Sequence, residues 1–155
     1  MNWHEWRNLR CTLINILIGM MSFFSLQDIA ITKLSESIEK SDIDIRRLRV
    51  SGAFHSRHMN EAAQRFNPMI DNIRFNTPKI PIIMNSSGRV TTDPEEIRNN
   101  IKDQMTSVVE WRASMITAKA EGVDHFVEIS PSRVLTSVVK RIKGMEECRA
   151  EFIRF

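Results

Sequence analysis

Apolar residues recur along this chain in two periods, one typical of helices and one typical of strands. The clearest helical period runs over residues 59–73, where apolar positions fall on one face at spacings of three and four: Met59, Ala62, Ala63, Phe66, Met69, Ile70 and Ile73. A second helix is predicted over 94–105. Its start is well marked, because Asp93 suits an N-cap, Pro94 suits the first helical position and Glu96 completes a capping-box pattern.

Strand-like segments lie between helical ones over most of the remaining length. Short apolar runs and period-two alternation predict strands at 43–50, 80–84 and 124–129, and helical spacing predicts further helices at 31–40, 111–122 and 132–142. Across Arg46-Arg47 the alternation changes phase, which predicts a bulge or an early strand end. This order of elements is typical of an α/β fold with a largely parallel sheet.

The first 26 residues differ from the rest of the chain. Arg7 and Arg10 precede a mostly apolar run at 11–26, which is shorter than the roughly 20 residues that a transmembrane helix needs and is interrupted by polar side chains. A buried helix or strand is the favoured interpretation. A targeting or membrane segment and a poorly ordered leader remain as alternatives, although no small-x-small cleavage site follows.

Composition describes one soluble domain of common size. The chain has 155 residues, of which 42% are hydrophobic and 26% charged. Its two cysteines, Cys11 and Cys148, have no metal-type spacing, so neither a disulfide framework nor a zinc site is predicted, and free thiols suit the reducing cytoplasm. The net charge of +3 favours an anionic partner without choosing among such partners.

A motif at 51–59, Ser-Gly-Ala-Phe-His-Ser-Arg-His-Met, carries the strongest functional signal. Gln104 follows His55 at an interval of 49 positions. Over 43–142 the chain resembles the C-terminal part of malonyl-CoA–acyl carrier protein transacylases. The other stretches that match this family are Pro-Lys-Ile-Pro at 78–81, Thr-Asp-Pro-Glu-Glu at 92–96, Glu-Trp at 110–111, Glu-Gly-Val-Asp at 121–124 and Arg-Val-Leu at 133–135.

The resemblance implies a partial acyltransferase core, similar to α/β-hydrolases, with malonyl-CoA and acyl carrier protein as partners in fatty acid biosynthesis and with no cofactor or metal. It implies that His55 is the general base and that the backbone carbonyl of Gln104 holds its imidazole. It also implies that Phe54 selects malonyl over α-methyl substrates by its volume, and that Asn85 lines the floor of the site. Without the resemblance, His55 is a loop residue capping a helix, Phe54 a core residue and Asn85 a turn residue.

Two parts of the family's machinery have no counterpart in these residues. The chain contains no Gly-x-Ser-x-Gly elbow for the nucleophilic serine, and no residue matches the arginine that pairs with the malonyl carboxylate. Two loops also depart from the family, with Ser-Pro-Ser at 130–132 in place of Gly-Pro-Gly and Ser-Val-Val at 107–109 in place of Asn-Pro-Val. We therefore expect a product that is inactive alone. It is either truncated, or split from a separate N-terminal half with which it would pair, or a product whose first 26 residues come from a different reading frame.

Three segments follow from this interpretation: an apolar leader at 1–26, the acyltransferase part at 27–142 and a tail at 143–155. The alternative is a non-catalytic binding module or relic that uses a basic surface for a partner. The basic residues concerned are Arg46, Arg47, Arg49, Arg133, Lys140, Arg141 and Lys143. No aromatic side chains interleave them, so nucleic acid is not predicted as the partner.

Overall fold

The structure is a computed structural model that describes Thr32, Lys33, Glu36 and residues 53–155. The predictions for residues 1–26, for the strand at 43–50 and for most of the helix at 31–40 lie outside this part. A turn of 3₁₀ helix at Arg57–Met59 opens the described chain. The elements that follow are α1 (Asn60–Asp71), β1 (Ile82–Ile83), β2 (Val90–Thr91), α2 (Pro94–Gln104), α3 (Trp111–Ala120), β3 (His125–Ser130), α4 (Leu135–Val139) and β4 (Arg149–Arg154).

The helix predictions for α1, α2 and α3 agree with the structure to within three residues at each end. On α1 the predicted stripe is only partly buried: Ala63 and Ile70 are enclosed, whereas Met69 and Ile73 are exposed. Among the described residues, no helix is long and apolar enough to cross a membrane.

Helix α2 begins as predicted in one respect and differently in another. The Asp93 carboxylate accepts a hydrogen bond from the Glu95 N–H at 3.0 Å, which is the expected N-cap contact. The prediction of a capping box, in which Glu96 would accept from the Asp93 N–H, is wrong. The Glu96 carboxylate instead accepts from the Thr91 hydroxyl at 2.5 Å, and the Asp93 N–H donates to that same hydroxyl at 3.1 Å. Thr91 is thus inserted between the two members of the predicted box and ties the end of β2 to α2.

The described strands form two separate pairs. β1 and β2 are antiparallel, with Ile82 opposite Thr91, whereas β3 and β4 are parallel over six residues, with His125 opposite Arg149. The expectation of a largely parallel sheet therefore holds for β3 and β4 and is wrong for β1 and β2. The chain reverses between β1 and β2 because the turn before β2 contains Gly88 at φ 66°, whose N–H donates to the Met84 carbonyl at 2.7 Å.

The core of the described part lies beneath the parallel pair. Val139, Ile142, Met145 and Cys148 are buried together, and Trp111, Met115 and Phe126 pack against them. The last helix is shorter than the predicted 132–142, because beyond Val139 successive turns replace it and bring Ile142, Met145 and Cys148 into this core. β4 then forms in the segment predicted as a tail, and the sequence pattern did not predict this strand. The division at 142/143 stays a prediction.

Candidate active site

His55 has an unusual backbone conformation. Its φ is 62°, the only positive value at a non-glycine residue among the described residues. Such a conformation costs about 1–3 kcal/mol and persists only where neighbouring contacts hold it. One such contact is present, because the His55 N–H donates to the Met105 carbonyl at 2.9 Å.

The imidazole of His55 is held at the C-terminal end of α2. Its Nδ1 lies 2.9 Å from the carbonyl oxygen of Gln104, the last residue of that helix. The last carbonyls of a helix lack intrahelical donors, so this oxygen is free to accept. A carbonyl can only accept, so Nδ1 carries the hydrogen and a neutral ring leaves Nε2 as a proton acceptor. This is the arrangement that a general base requires.

Ser56 fixes the loop that carries His55. Its side chain is fully buried; the hydroxyl donates to the Ala53 carbonyl at 2.6 Å and accepts from the His58 N–H at 3.2 Å. Both contacts tie the hydroxyl to its own loop and cap the 3₁₀ turn that follows. Ser56 therefore holds the loop and is not presented as a nucleophile.

The other two predicted site residues lie in different surroundings. Phe54 precedes His55 and is 46% exposed, so its ring lies at the surface and is not part of the core. Asn85 lies in the turn after β1, where its carbonyl accepts from the Glu110 N–H at 2.7 Å. The structure thus brings His55 and Gln104 into contact, places Phe54 next to them, and bonds Asn85 to the start of α3.

A second polar cluster surrounds Glu128, which no sequence motif singled out. Its carboxylate accepts hydrogen bonds from the Thr136 hydroxyl at 2.5 Å and from three backbone N–H groups at the start of α4: Val134, Leu135 and Thr136. Desolvation, which alone would raise the pKa of Glu128, is outweighed by the Thr136 hydroxyl and these N–H groups, which together lower it to about 2. The sequence signal that could have identified Glu128 is its place in β3, where alternate residues are less exposed and Glu128 occupies one of those positions.

The loop at 130–132 keeps a backbone that serine can adopt. Neither Ser130 nor Ser132 has a positive φ, and the Ser130 hydroxyl donates to the Ser132 carbonyl at 2.6 Å and to Glu128 at 3.1 Å. The loss of the family's glycines therefore imposes no strained angle here. In the described part of the chain, no group of three or more His, Cys, Asp or Glu residues is placed to hold a metal ion.

Four of the seven basic residues proposed for a partner surface are exposed, namely Arg133, Lys140, Arg141 and Lys143. The other three, Arg46, Arg47 and Arg49, lie outside the described residues. The exposure of the first four is equally consistent with a solvated face, because charged side chains are mostly found at the surface.

Comparison with known proteins identifies the acyltransferase family that the sequence motifs resemble. The acyl transferase domain family matches residues 23–151. The polyketide biosynthesis protein PksE of Bacillus subtilis is 40% identical over 103 residues, which cover 64% of this chain and 13% of that protein. The malonyl CoA-acyl carrier protein transacylase of Staphylococcus aureus is 36% identical over 95 residues, which cover 61% of this chain and 31% of that protein.

A solved structure agrees in fold. The malonyl-CoA:ACP transacylase of Synechocystis superposes with a TM-score of 0.80 at 25% identity, over 96% of this chain and 49% of that one. The chain thus spans about half of this solved relative and less than a third of the two curated relatives above. With its α/β architecture, its His55–Gln104 pair and a match over most of its length, the chain belongs to the acyl transferase domain family.

Proposed function

We propose that these residues form the base-bearing part of a malonyl-CoA–acyl carrier protein S-malonyltransferase. The single observation that carries the proposal is the hydrogen bond between His55 Nδ1 and the Gln104 carbonyl, which leaves Nε2 as the proton acceptor. The names of the relatives supply the substrate class. One of these names specifies polyketide biosynthesis and the other specifies no pathway, so the proposal extends to fatty acid or polyketide biosynthesis, in the cytoplasm where malonyl-CoA is used.

The chemistry is a transfer in two halves. A serine hydroxyl gives its proton to His55 Nε2 as its oxygen attacks the malonyl thioester, and the CoA thiolate leaves with that proton. The phosphopantetheine thiol of the carrier protein then gives its proton to the same nitrogen and attacks the malonyl-serine ester, which returns the proton to the serine. The Gln104 carbonyl keeps Nδ1 protonated and stabilises the imidazolium that forms in each half.

The serine must come from polypeptide beyond these 155 residues, which contain no Gly-x-Ser-x-Gly. The oxyanion donors next to that serine and the arginine for the malonyl carboxylate belong to the same region in the family. In this proposal the chain supplies the base, its orienting carbonyl and a side-chain selector, and by itself it transfers no malonyl group.

Phe54 is proposed as the selector and Asn85 as part of the floor of the site. In this proposal the exposed ring of Phe54, next to His55 in the chain, occupies the space that an α-methyl group would need. Discrimination of this size is worth about 1–3 kcal/mol, so Phe54 sets a preference and does not exclude branched substrates completely.

Complementation tests the enzymatic proposal. The chain is mixed with the N-terminal part of the Staphylococcus aureus transacylase that ends before the matched region, and transfer of radiolabelled malonyl to holo carrier protein is measured. We expect the mixture to be active and each part alone to be inactive. His55→Ala should reduce the restored rate by at least about 100-fold, since general base catalysis contributes about that much.

Two control variants sharpen this test. His58→Ala removes an exposed imidazole three residues away and should leave the restored rate unchanged. Gln104→Ala keeps the backbone carbonyl that holds Nδ1, so its effect should stay below roughly tenfold. Full activity in His55→Ala, or no activity with any N-terminal part, would refute the enzymatic proposal.

The second candidate function is a non-catalytic binding module. Its surface would be the exposed Arg133, Lys140, Arg141 and Lys143, which would attract an acidic partner. Binding of acidic carrier protein to the chain alone, lost when Lys140 and Arg141 are replaced by glutamine and unaffected by His55→Ala, would support this candidate if complementation fails.

A further inference from the structure

The two members of the His55–Gln104 pair are connected to different helices, α1 and α2. His55 lies on the loop that leads through the 3₁₀ turn into α1, and Gln104 is the last residue of α2. The distance between the imidazole and the carbonyl therefore depends on how α1 is fixed against α2. A second connection between these helices, at the other end of α1, is formed by Arg98.

The guanidinium of Arg98 caps the C-terminal end of α1 from a different helix. Its Nη1 donates to three backbone carbonyls there: Ile70 at 2.9 Å, Ile73 at 2.9 Å and Asp71 at 3.3 Å. α1 has no basic residue in its own last turn. The last carbonyls of a helix need external donors, and a cation there also interacts favourably with the helix dipole.

Other contacts hold Arg98 and reinforce this connection. The side chain is only 16% exposed, its guanidinium carbon lies 4.9 Å from the centre of the Phe75 ring, and its Nε pairs with Glu95 at 3.3 Å. One turn further along α2, Lys102 forms an ion pair with Asp71. Arg98 is thus a nearly enclosed cation shared by two helices and not a solvated surface charge.

We propose that Arg98 is a positioning residue for the His55 base, acting by pinning the far end of α1 to α2. α1 is attached to α2 at one end through His55 and at the other through Arg98. Loss of the Arg98 bonds weakens the second attachment and lets α1 tilt, and a rotation of about 5° about the middle of its roughly 18 Å length moves each end, including the end that continues from the His55 loop, by about 0.8 Å. Displacement on that scale can cost about 100-fold in rate.

The inference rests on the proposed function only in that His55 is taken to be the general base. Its test measures the His55 tautomer and the exchange of its backbone N–H and requires no transfer assay. The full-length chain is labelled with ¹⁵N, and the imidazole nitrogens of His55 are assigned by comparison with His55→Ala. In the unmodified protein at high pH we expect one dominant neutral tautomer, protonated at Nδ1. Exchange of the His55 backbone N–H, bonded to Met105, should be slow.

Arg98→Met keeps much of the apolar stem beside Phe75 and removes the donors. We expect a mixture of the two His55 tautomers and at least about tenfold faster exchange of the His55 N–H. Arg98→Lys restores a charge and donors without the planar fork, and its spectrum should lie between the other two. An Arg98→Met spectrum identical to that of the unmodified protein would overturn the proposal.

A matched control separates positioning from general loosening. Ile142→Val removes one methyl from the core below β3 and β4, remote in sequence from α1 and α2, and lowers global stability. Its His55 tautomer and exchange should be unchanged. If Ile142→Val shifts them as much as Arg98→Met does, or if Arg98→Met unfolds and the folded Arg98→Lys shows no shift, Arg98 has no specific positioning role.

Discussion

The Nδ1 atom of His55 and the carbonyl oxygen of Gln104 lie 2.9 Å apart although 49 residues separate them in the chain. The next carbonyl, that of Met105, accepts the backbone N–H of the same histidine. Two successive carbonyls at the end of α2 therefore fix both the backbone and the ring of His55. In the malonyl transfer proposed above, this pair supplies the oriented base.

The isolated chain should not become malonylated. Incubation with radiolabelled malonyl-CoA is expected to leave no acid-stable label, because Ser56 is buried and its hydroxyl bonds its own loop. The label is measured after acid precipitation, with the intact Staphylococcus aureus enzyme as the positive control. A stoichiometric ester on any serine of this chain would contradict the prediction.

Phe54→Ser should change the substrate preference of the complemented enzyme. Removing the exposed ring beside His55 opens space for an α-methyl group, so the ratio of methylmalonyl to malonyl transfer should rise by about tenfold or more. Competition between the two labelled CoA esters measures this ratio. Phe66→Ser, which removes a half-buried ring on α1, is the control and should leave the ratio unchanged.

Glu128 should make stability depend on acidity. Its pKa falls from the usual 4.5 to about 2 in the folded protein, so its stabilising contribution is fully present above pH 4.5 and is lost as the pH falls toward 2. Glu128→Gln should therefore lower the urea midpoint at pH 7, and the difference from the unmodified protein should shrink between pH 4.5 and 2.

The control for this prediction is Glu61→Gln, which breaks an exposed ion pair with Arg65 on α1. Such surface changes stay within about 0.5 kcal/mol of the unmodified protein at pH 7. An unchanged difference between Glu128→Gln and the unmodified protein from pH 7 to pH 2.5 would show that the carboxylate does not carry the acid dependence.

Gly88→Ala should destabilise the hairpin for two separable reasons. Gly88 has φ 66°, and an added Cβ would lie 2.8 Å from the Cβ of Ala113 on α3. Gly122 has φ 89° with nothing within 4 Å of an added Cβ, so Gly122→Ala measures the backbone cost alone, about 1–2 kcal/mol. Gly88→Ala should cost a further 1–3 kcal/mol or so from overpacking, measured by urea unfolding. Equal losses in the two variants would exclude the contact with Ala113.

The outward face of the parallel pair should bind a dye specific for apolar surface. Val127, Ile129 and Ile153 point to the same side, Ile129 lies opposite Ile153, and these side chains are 46%, 65% and 52% exposed. Exposed apolar surface of this kind promotes association, so we expect dye fluorescence and concentration-dependent oligomers by light scattering. Ile129→Thr should reduce both. Met69→Thr, at an equally exposed position on α1, should reduce them less, and a monodisperse monomer without dye binding would contradict the prediction.

Local sequence signals determined the helices and singled out His55 and Gln104. Proline at the first position, Asp93 as N-cap and the apolar stripes placed α1, α2 and α3 to within three residues, because caps and periodicity act within a few residues of the chain. The motif at 51–59 and the interval to Gln104 identified the two residues that the structure joins. No sequence pattern, however, indicated that the Met105 carbonyl would bind the His55 N–H or that Arg98 would bind the end of α1.

Tertiary contacts decided what local signals left open. β4 forms because β3 provides a parallel partner for it. The last helix ends at Val139 because the turns that follow bury Ile142 and Met145 in the core. Thr91 replaces the predicted capping box because the end of β2 lies against the start of α2. The positive φ of His55 is of the same kind. A strained backbone is stable only when groups distant in the chain bind it. Here folding brings His55 to the end of α2, where the Met105 carbonyl accepts its backbone N–H.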